Sequence, residues 1–188
     1  MSFFPLSMDM KDLKVLLVGG GTIASEKLDK LLDFTQDITV IANDLSDPVH
    51  TYIREYALSF YQRAYKKGDI EGFDMVIIAT DTQDLHQEIY EESRGESILV
   101  NSVDNMKYCD FIFPSYIKKG DLTIAFSTGG ASPAFAKHLR QYFAEHIPDT
   151  VESFLEKMKS LRTTMPKGKD RMTYFDTLVK AYFAKYFK

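Results

Sequence analysis

Five residues, Lys14-Val15-Leu16-Leu17-Val18, run straight into three glycines, Gly19-Gly20-Gly21, and then into Thr22-Ile23-Ala24 at the head of a helical stripe. No other feature of the chain restricts its fold as tightly. An apolar run without polar alternation reads as a strand covered on both faces, the condition of a strand inside a parallel sheet. From Thr22 to Phe34, the residues Ile23, Lys27, Leu28, Leu31 and Leu32 recur at helical spacing, so a helix follows. Strand, glycine turn and helix in that order bring free N–H groups and the positive end of a helix dipole to one point. The spacing Gly19-x-Gly21-x-x-Ala24 fits a dinucleotide pyrophosphate. Gly19 permits the tight turn, Gly21 lets the backbone approach without a Cβ, and Ala24 allows close helix–strand packing. Gly19, Gly21, Thr22 and Ile23 are therefore candidate cofactor contacts.

The same alternation continues. Apolar runs at Ile38 to Ala42, Leu58 to Ala64, Met75 to Ala79 and Ile98 to Val103 read as strands, with helical segments from Leu45 to Tyr56 and Asp84 to Arg94 between them. Strands alternating with helices predict an α/β fold, a Rossmann-type doubly wound parallel sheet whose strand ends gather ligands on one edge. Past Asp104 the texture changes. Phe111 to Tyr116 and Leu122 to Phe126 read as two strands joined by Ile117–Asp121, followed by a helix from Ala134 to Glu145 with Ser132 as N-cap and Pro133 at its first position. Asp149 and Glu152 have capping-box spacing for a next helix whose apolar face is Val151, Phe154, Leu155, Met158 and Leu161. After Pro166-Lys167-Gly168 a last helix carries Met172, Phe175, Leu178, Val179, Tyr182 and Phe183. These stripes read as packing surface. The predicted division is a cofactor-binding domain over 1–113, a small α+β region over 114–148 and a C-terminal helical segment over 149–188.

About 20 residues past the glycine turn, where an acidic ribose ligand is expected, stands Asp44 with Asn43 beside it. A carboxylate there accepts from the ribose hydroxyls and repels a 2′-phosphate, which tilts the cofactor toward NAD; the alternative role for Asp44 is to cap the helix that follows. Thr80, in Ala79-Thr80-Asp81 at a strand end, lines the same crevice, or caps the next helix, or does both.

Bulk properties narrow the class. The 188 residues carry a formal net charge of −4, against the broad basic surface that general nucleic-acid binding needs. No apolar run approaches the roughly 20 residues of a membrane span, and the N-terminus lacks the basic flank of a signal peptide. The single cysteine, Cys109, fits a reducing compartment and reads as a small buried hydrophobe, so the expectation is a cytoplasmic protein. The four histidines, His50, His86, His138 and His146, are scattered, and no dedicated metal site is predicted.

Three stretches together resemble one family. They are Val18-Gly19-Gly20-Gly21-x-x-Ala24-x-x-Lys27; Ala79-Thr80-Asp81 with Asn101-x-Val103-Asp104; and Asp110-Phe111-Ile112-Phe113-Pro114-Ser115 continuing through Leu122-Thr123-Ile124-Ala125 to Ser127-Thr128-Gly129-Gly130-x-Ser132-Pro133-x-x-Ala136. The chain resembles the precorrin-2 dehydrogenase and sirohydrochlorin ferrochelatase family, the N-terminal module of siroheme synthases, over roughly residues 12 to 145. It departs in having Ser102 where the family usually has Val, a change expected to matter less than the retained Asp104. The resemblance implies NAD-dependent oxidation of precorrin-2 to sirohydrochlorin and, in some members, insertion of ferrous iron as substrate. It also implies a homodimer built through the region after the Rossmann domain, with the active-site cleft between domains. The methyltransferase domain of the longer synthases is expected to have no room in this chain.

Such a dehydrogenation transfers a hydride to the nicotinamide and releases a proton. Asp104 ends a central strand on the ligand edge, and the family's catalytic aspartate falls there. A carboxylate is a weak base at its ordinary pKa of about 3.9, so that role requires burial against the bound macrocycle. The alternatives are a helix cap or a plain loop carboxylate. The substrate is a polyanion, which Thr128-Gly129-Gly130 at a second helix entrance, Lys137 and Arg140 are placed to bind, with Lys118, Lys119 and His138 nearby; the alternative is a solvated basic face. Two other functions stay open: a dehydrogenase whose iron is inserted by a separate chelatase, and a nucleotide-binding regulatory module without catalysis.

Overall fold

A computed structural model describes residues 3–187. The chain divides into two compact units, one spanning Phe3–Ile112 and the other beginning at Phe113. In the first unit, β1 (Val15–Val18), α1 (Thr22–Leu32), β2 (Ile38–Ala42), α2 (Asp47–Glu55), β3 (Ser59–Gln62), β4 (Met75–Ile78), α3 (Gln83–Ser93) and β5 (Leu99–Ser102) follow in turn. The strands form one parallel sheet in the order β3-β2-β1-β4-β5. β1 and β4 are buried at every position, which is why their sequences show no alternation. Edge strand β3 is largely exposed.

Right-handed crossovers decide the layers. The connections through α1 and α2 run outward from β1 to β3, and the connection through α3 runs the other way, from β4 to β5, so α3 covers the opposite face. The direction reverses between β1 and β4, and the crevice at the carboxyl ends of those strands is the topological switch point where ligands of such sheets bind. α1 buries Ala24, Leu28 and Leu31, one stripe at helical spacing, and packs with α2. On the other face Leu16, Val18, Val76, Ile78 and Val100 form a core with Ile89 of α3. The expected doubly wound sheet is thus borne out, with element ends shifted by at most two residues.

In the second unit, β6 (Ser115–Lys119) and β7 (Leu122–Phe126) form an antiparallel hairpin, followed by α4 (Pro133–His146), α5 (Val151–Thr164) and α6 (Lys169–Tyr186). The first hairpin strand begins four residues later than the sequence predicts. The cause is local: Asp110 N–H donates to the Val100 carbonyl at 2.8 Å, the Asp110 carboxylate accepts the Val100 N–H at 2.9 Å, and the Phe111 carbonyl accepts from Asn101 Nδ2 at 2.9 Å. Pro114 then has no N–H to give a ladder. The turn is Gly120-Asp121, with Gly120 at φ +56°, the left-handed first position of a II′ hairpin. Glu152 packs its side chain against Gly120.

The capping box at Asp149 and Glu152 does not form. Thr150 precedes α5 without a side-chain cap, and Asp149 instead pairs with Lys119 Nζ at 2.8 Å, which also donates to the Ile147 carbonyl. The Lys119 ammonium, through its hydrogen bond first and its charge second, holds the Asp149 carboxyl below its ordinary range. α6 buries only Phe175 and Tyr182 of its apolar stripe, through Phe154–Tyr182 stacking at 4.1 Å, while Met172 and Phe183 stay exposed.

Candidate functional site

The glycine turn is wedged between two neighbouring strand ends. A Cβ on Gly19, whose φ is +125°, would lie 2.1 Å from the Ala79 carbonyl oxygen. A Cβ on Gly20 would lie 2.2 Å from the Asp44 carbonyl oxygen, and Ser46 N–H donates to the Gly20 carbonyl at 2.8 Å. Gly20 was absent from the predicted contacts, yet it is the residue that seats the segment after β2 against the turn. Gly21 differs: its Cβ would meet nothing within 4 Å. It is the N-cap of α1, and having no side chain it gives no side-chain cap. The first-turn N–H groups of Thr22 and Ile23 therefore have no side-chain cap and lie beside a missing Cβ, the polarity that suits a pyrophosphate.

Asn43 and Asp44 follow β2 on the surface, and Asn43's carbonyl accepts from Gln62 Nε2 at 3.3 Å. The capping alternative for Asp44 falls, because Ser46 is the N-cap of α2. Ser46 Oγ is buried without a partner beside the turn, a polar atom that a bound ligand could satisfy. Thr80 and Asp81 are likewise not the cap of α3, which is Thr82; Thr80 Oγ1 accepts the Thr82 N–H at 3.4 Å.

Asp104 is exposed and sits at φ +60°, a left-handed position that costs a non-glycine residue of order 1 kcal/mol or more and concentrates at functional sites. The residue that caps the following turn is Asn105, whose side chain accepts the Lys107 N–H, so Asp104 is not a cap. The loop closes behind it through Cys109, whose thiol accepts the Ser102 N–H at 3.3 Å and approaches the Ser102 carbonyl at 3.1 Å. Burial raises the Cys109 pKa, in keeping with a structural thiol. Lys27, half-buried on α1, faces this loop. Burial lowers its pKa and Lys30 adds to that, while the charges of Glu26, Asp104 and Cys109 pull it back up. Sequence reasoning gave Lys27 no role; its place three residues past Ala24 in the glycine motif was the available signal.

Two further polar groups escaped the sequence. His86 is buried and bonds Ser102 Oγ through Nδ1 at 2.6 Å and the Thr80 carbonyl through Nε2 at 2.8 Å, so Ser102 is a working partner rather than a neutral departure. Asn101 is buried with its Oδ1 unpartnered.

The second unit holds the predicted substrate residues. Gly129 and Gly130 take φ +61° and +88°, and the turn uses its own donors: Ser127 Oγ accepts the Gly129 N–H at 3.2 Å, the Thr128 carbonyl accepts the Ala131 N–H at 3.1 Å, and Thr128 Oγ1 accepts the Ser132 N–H at 3.0 Å. Ser132 caps α4 by accepting the Phe135 N–H at 3.2 Å, as the sequence predicts. Lys137 and Arg140 lie one helical turn apart on α4, Lys137 exposed and Arg140 half-buried. Among the described residues no helix is long and apolar enough to cross a membrane.

Comparison with known proteins places the chain. Residues 6–115 match the family model described as Putative NAD(P)-binding, and residues 119–146 match the model described as Sirohaem biosynthesis protein central. The chain belongs to this NAD(P)-binding family. It is 34% identical to the siroheme synthase of Pseudoalteromonas atlantica over 165 residues, 88% of this chain and 36% of that protein. It is 36% identical to the siroheme synthase of Methylococcus capsulatus over 148 residues, 79% of this chain and 31% of that protein. The chain thus spans about a third of the length of these curated relatives. The solved structure of SirC, precorrin-2 dehydrogenase, shares the fold with a TM-score of 0.79 at 23% identity, covering 98% of this chain and 91% of that one.

Proposed function

We propose that this member of the NAD(P)-binding family oxidises precorrin-2 to sirohydrochlorin with NAD, as the names of its siroheme synthase relatives and of its structural neighbour suggest. The observation that carries the reading is the pairing of an uncapped glycine cradle at the switch point with a left-handed aspartate two residues past β5, which is the outermost strand beside β4 rather than the central one expected. NAD, when bound, accepts the hydride and so supplies the redox chemistry. Gly19, Gly21, Thr22 and Ile23 hold its pyrophosphate, Asn43 and Asp44 its ribose, and Thr80 lines the crevice. Asp104 takes the proton that leaves with the hydride, and a bound macrocycle covering its exposed carboxylate makes it a stronger base.

For the substrate's carboxylates we assign Lys137 and Arg140. The turn Thr128-Gly129-Gly130 shapes the entrance of their helix, its donors being largely engaged already. The division at 1–113, 114–148 and 149–188 follows these roles. Exposed Phe135, Tyr142 and Phe143 on α4 support dimerisation through the middle region. A cytoplasmic location accords with the lone thiol. Whether ferrous iron is also inserted is decided by anaerobic incubation with sirohydrochlorin and ferrous iron. Asp104→Ala tests the catalytic assignment: a loss of at least about 100-fold in NADH production from precorrin-2 is expected, and an undiminished rate removes Asp104 from the chemistry.

A further inference from the structure

Ser102, His86 and Thr80 form a buried polar chain that the chemistry above does not use, His86 being 1% and Ser102 3% exposed. A carbonyl only accepts, so the bond of 2.8 Å to the Thr80 oxygen requires the proton on His86 Nε2. With one proton on the ring, Nδ1 is an acceptor, and the Ser102 hydroxyl 2.6 Å away donates to it. The carbonyl sets the tautomer, and the Ser102 hydroxyl, which can donate or accept, completes it and anchors the ring. The chain also ties the end of β4 to the end of β5, two residues before Asp104, where Val103 N–H donates to the Ile78 carbonyl at 3.0 Å.

The consequence lies in the peptide after Thr80. The described peptides contain no cis bond, so the Thr80 carbonyl and the Asp81 N–H point to opposite sides. His86 holds the carbonyl toward α3, and the Asp81 N–H is turned away from it. The preceding peptide is held as firmly from the other side, since Gly19 packs directly on the Ala79 carbonyl and the Thr80 nitrogen. Ala79–Asp81 is thus clamped between the glycine turn and a histidine.

We infer that His86 is a positioning residue for the dinucleotide: by fixing the Thr80 carbonyl on the α3 side it presents the Asp81 N–H to the β1–β4 crevice, and Ser102 anchors the ring in the place from which it does this. The inference rests on the dinucleotide reading above. Its test is the NADH dissociation constant of the full chain, followed by fluorescence at a temperature where circular dichroism shows each variant folded. His86→Phe keeps the shape and loses both bonds, and it should bind NADH about tenfold more weakly. His86→Gln retains a donor for the Thr80 carbonyl and should stay within about threefold of the wild type, a rescue that core packing alone does not explain. Folded His86→Phe with wild-type affinity and only a lower melting temperature overturns the inference. If His86→Phe does not fold, Ser102→Val takes its place: about threefold weaker binding supports the inference, and unchanged binding overturns it. A wild-type chain with no affinity for NADH overturns the dinucleotide reading and this inference with it.

Discussion

Two glycine-rich turns open helices in this chain, and they are built to opposite ends. At the head of α1, Gly19 and Gly20 are packed against carbonyls of neighbouring segments, and Gly21 leaves the helix start without a side-chain cap. At the head of α4, Gly129 has nothing within 4 Å of a Cβ, and Ser127, Thr128 and Ser132 bond the turn's own N–H groups. The first turn is rigid in its frame and open at its donors. The second has open space at Gly129 and bonds its donors internally. Glycine spacing alone does not separate a ligand cradle from a self-capped helix start; what the neighbouring hydroxyls do with the free N–H groups decides it.

Substitutions can break or sharpen this contrast. Gly19→Ala brings a Cβ onto a backbone carbonyl at a left-handed φ, and a loss of about 3 kcal/mol or more in urea-unfolding stability is expected. Gly129→Ala, also left-handed but in open space, should cost only about 1–2 kcal/mol; equal costs would erase the distinction. Gly21→Ala should leave stability within about 0.5 kcal/mol and weaken NADH binding about tenfold or more, which titration of the folded variant reads directly. Ser132→Ala removes the α4 cap for about 1 kcal/mol without changing NADH affinity, whereas a matching loss of affinity would make the second turn part of the cofactor site.

The smallest effect concerns pH. Lys27 has a folded pKa lowered chiefly by burial, so the unfolded chain binds more protons there than the folded one. Its charge therefore costs stability at neutral pH, and the cost is relieved as pH rises from the folded value toward the ordinary 10.5. Lys27→Met should be more stable than the wild type at pH 7, with the advantage shrinking toward pH 10. A constant difference across that range would show that charge burial is not the cause.

Much of this was legible in the chain. β1 and β4 announce themselves because strands buried on both faces need uninterrupted apolar runs, β2 does so with Thr39 as its one break, and the glycine spacing locates the cradle. What failed to show was whatever depends on a distant partner. Phe111 to Pro114 has the composition of a strand, but Asp110 and Phe111 are committed to β5. Asp149 has capping spacing, but Lys119 from the hairpin takes its carboxylate. His86 occupies the inward stripe of α3 with Ile89 and Ser93, and its partner Ser102 stands sixteen residues away in the buried strand β5. A polar residue in such a strand was the available clue, and only the fold identifies what it meets.

The most direct measurement is anaerobic incubation of the purified chain with NAD and precorrin-2. The account predicts NADH absorbance rising in step with the sirohydrochlorin spectrum. Precorrin-2 left unchanged by a chain that binds NADH would contradict the account and favour a regulatory nucleotide-binding module.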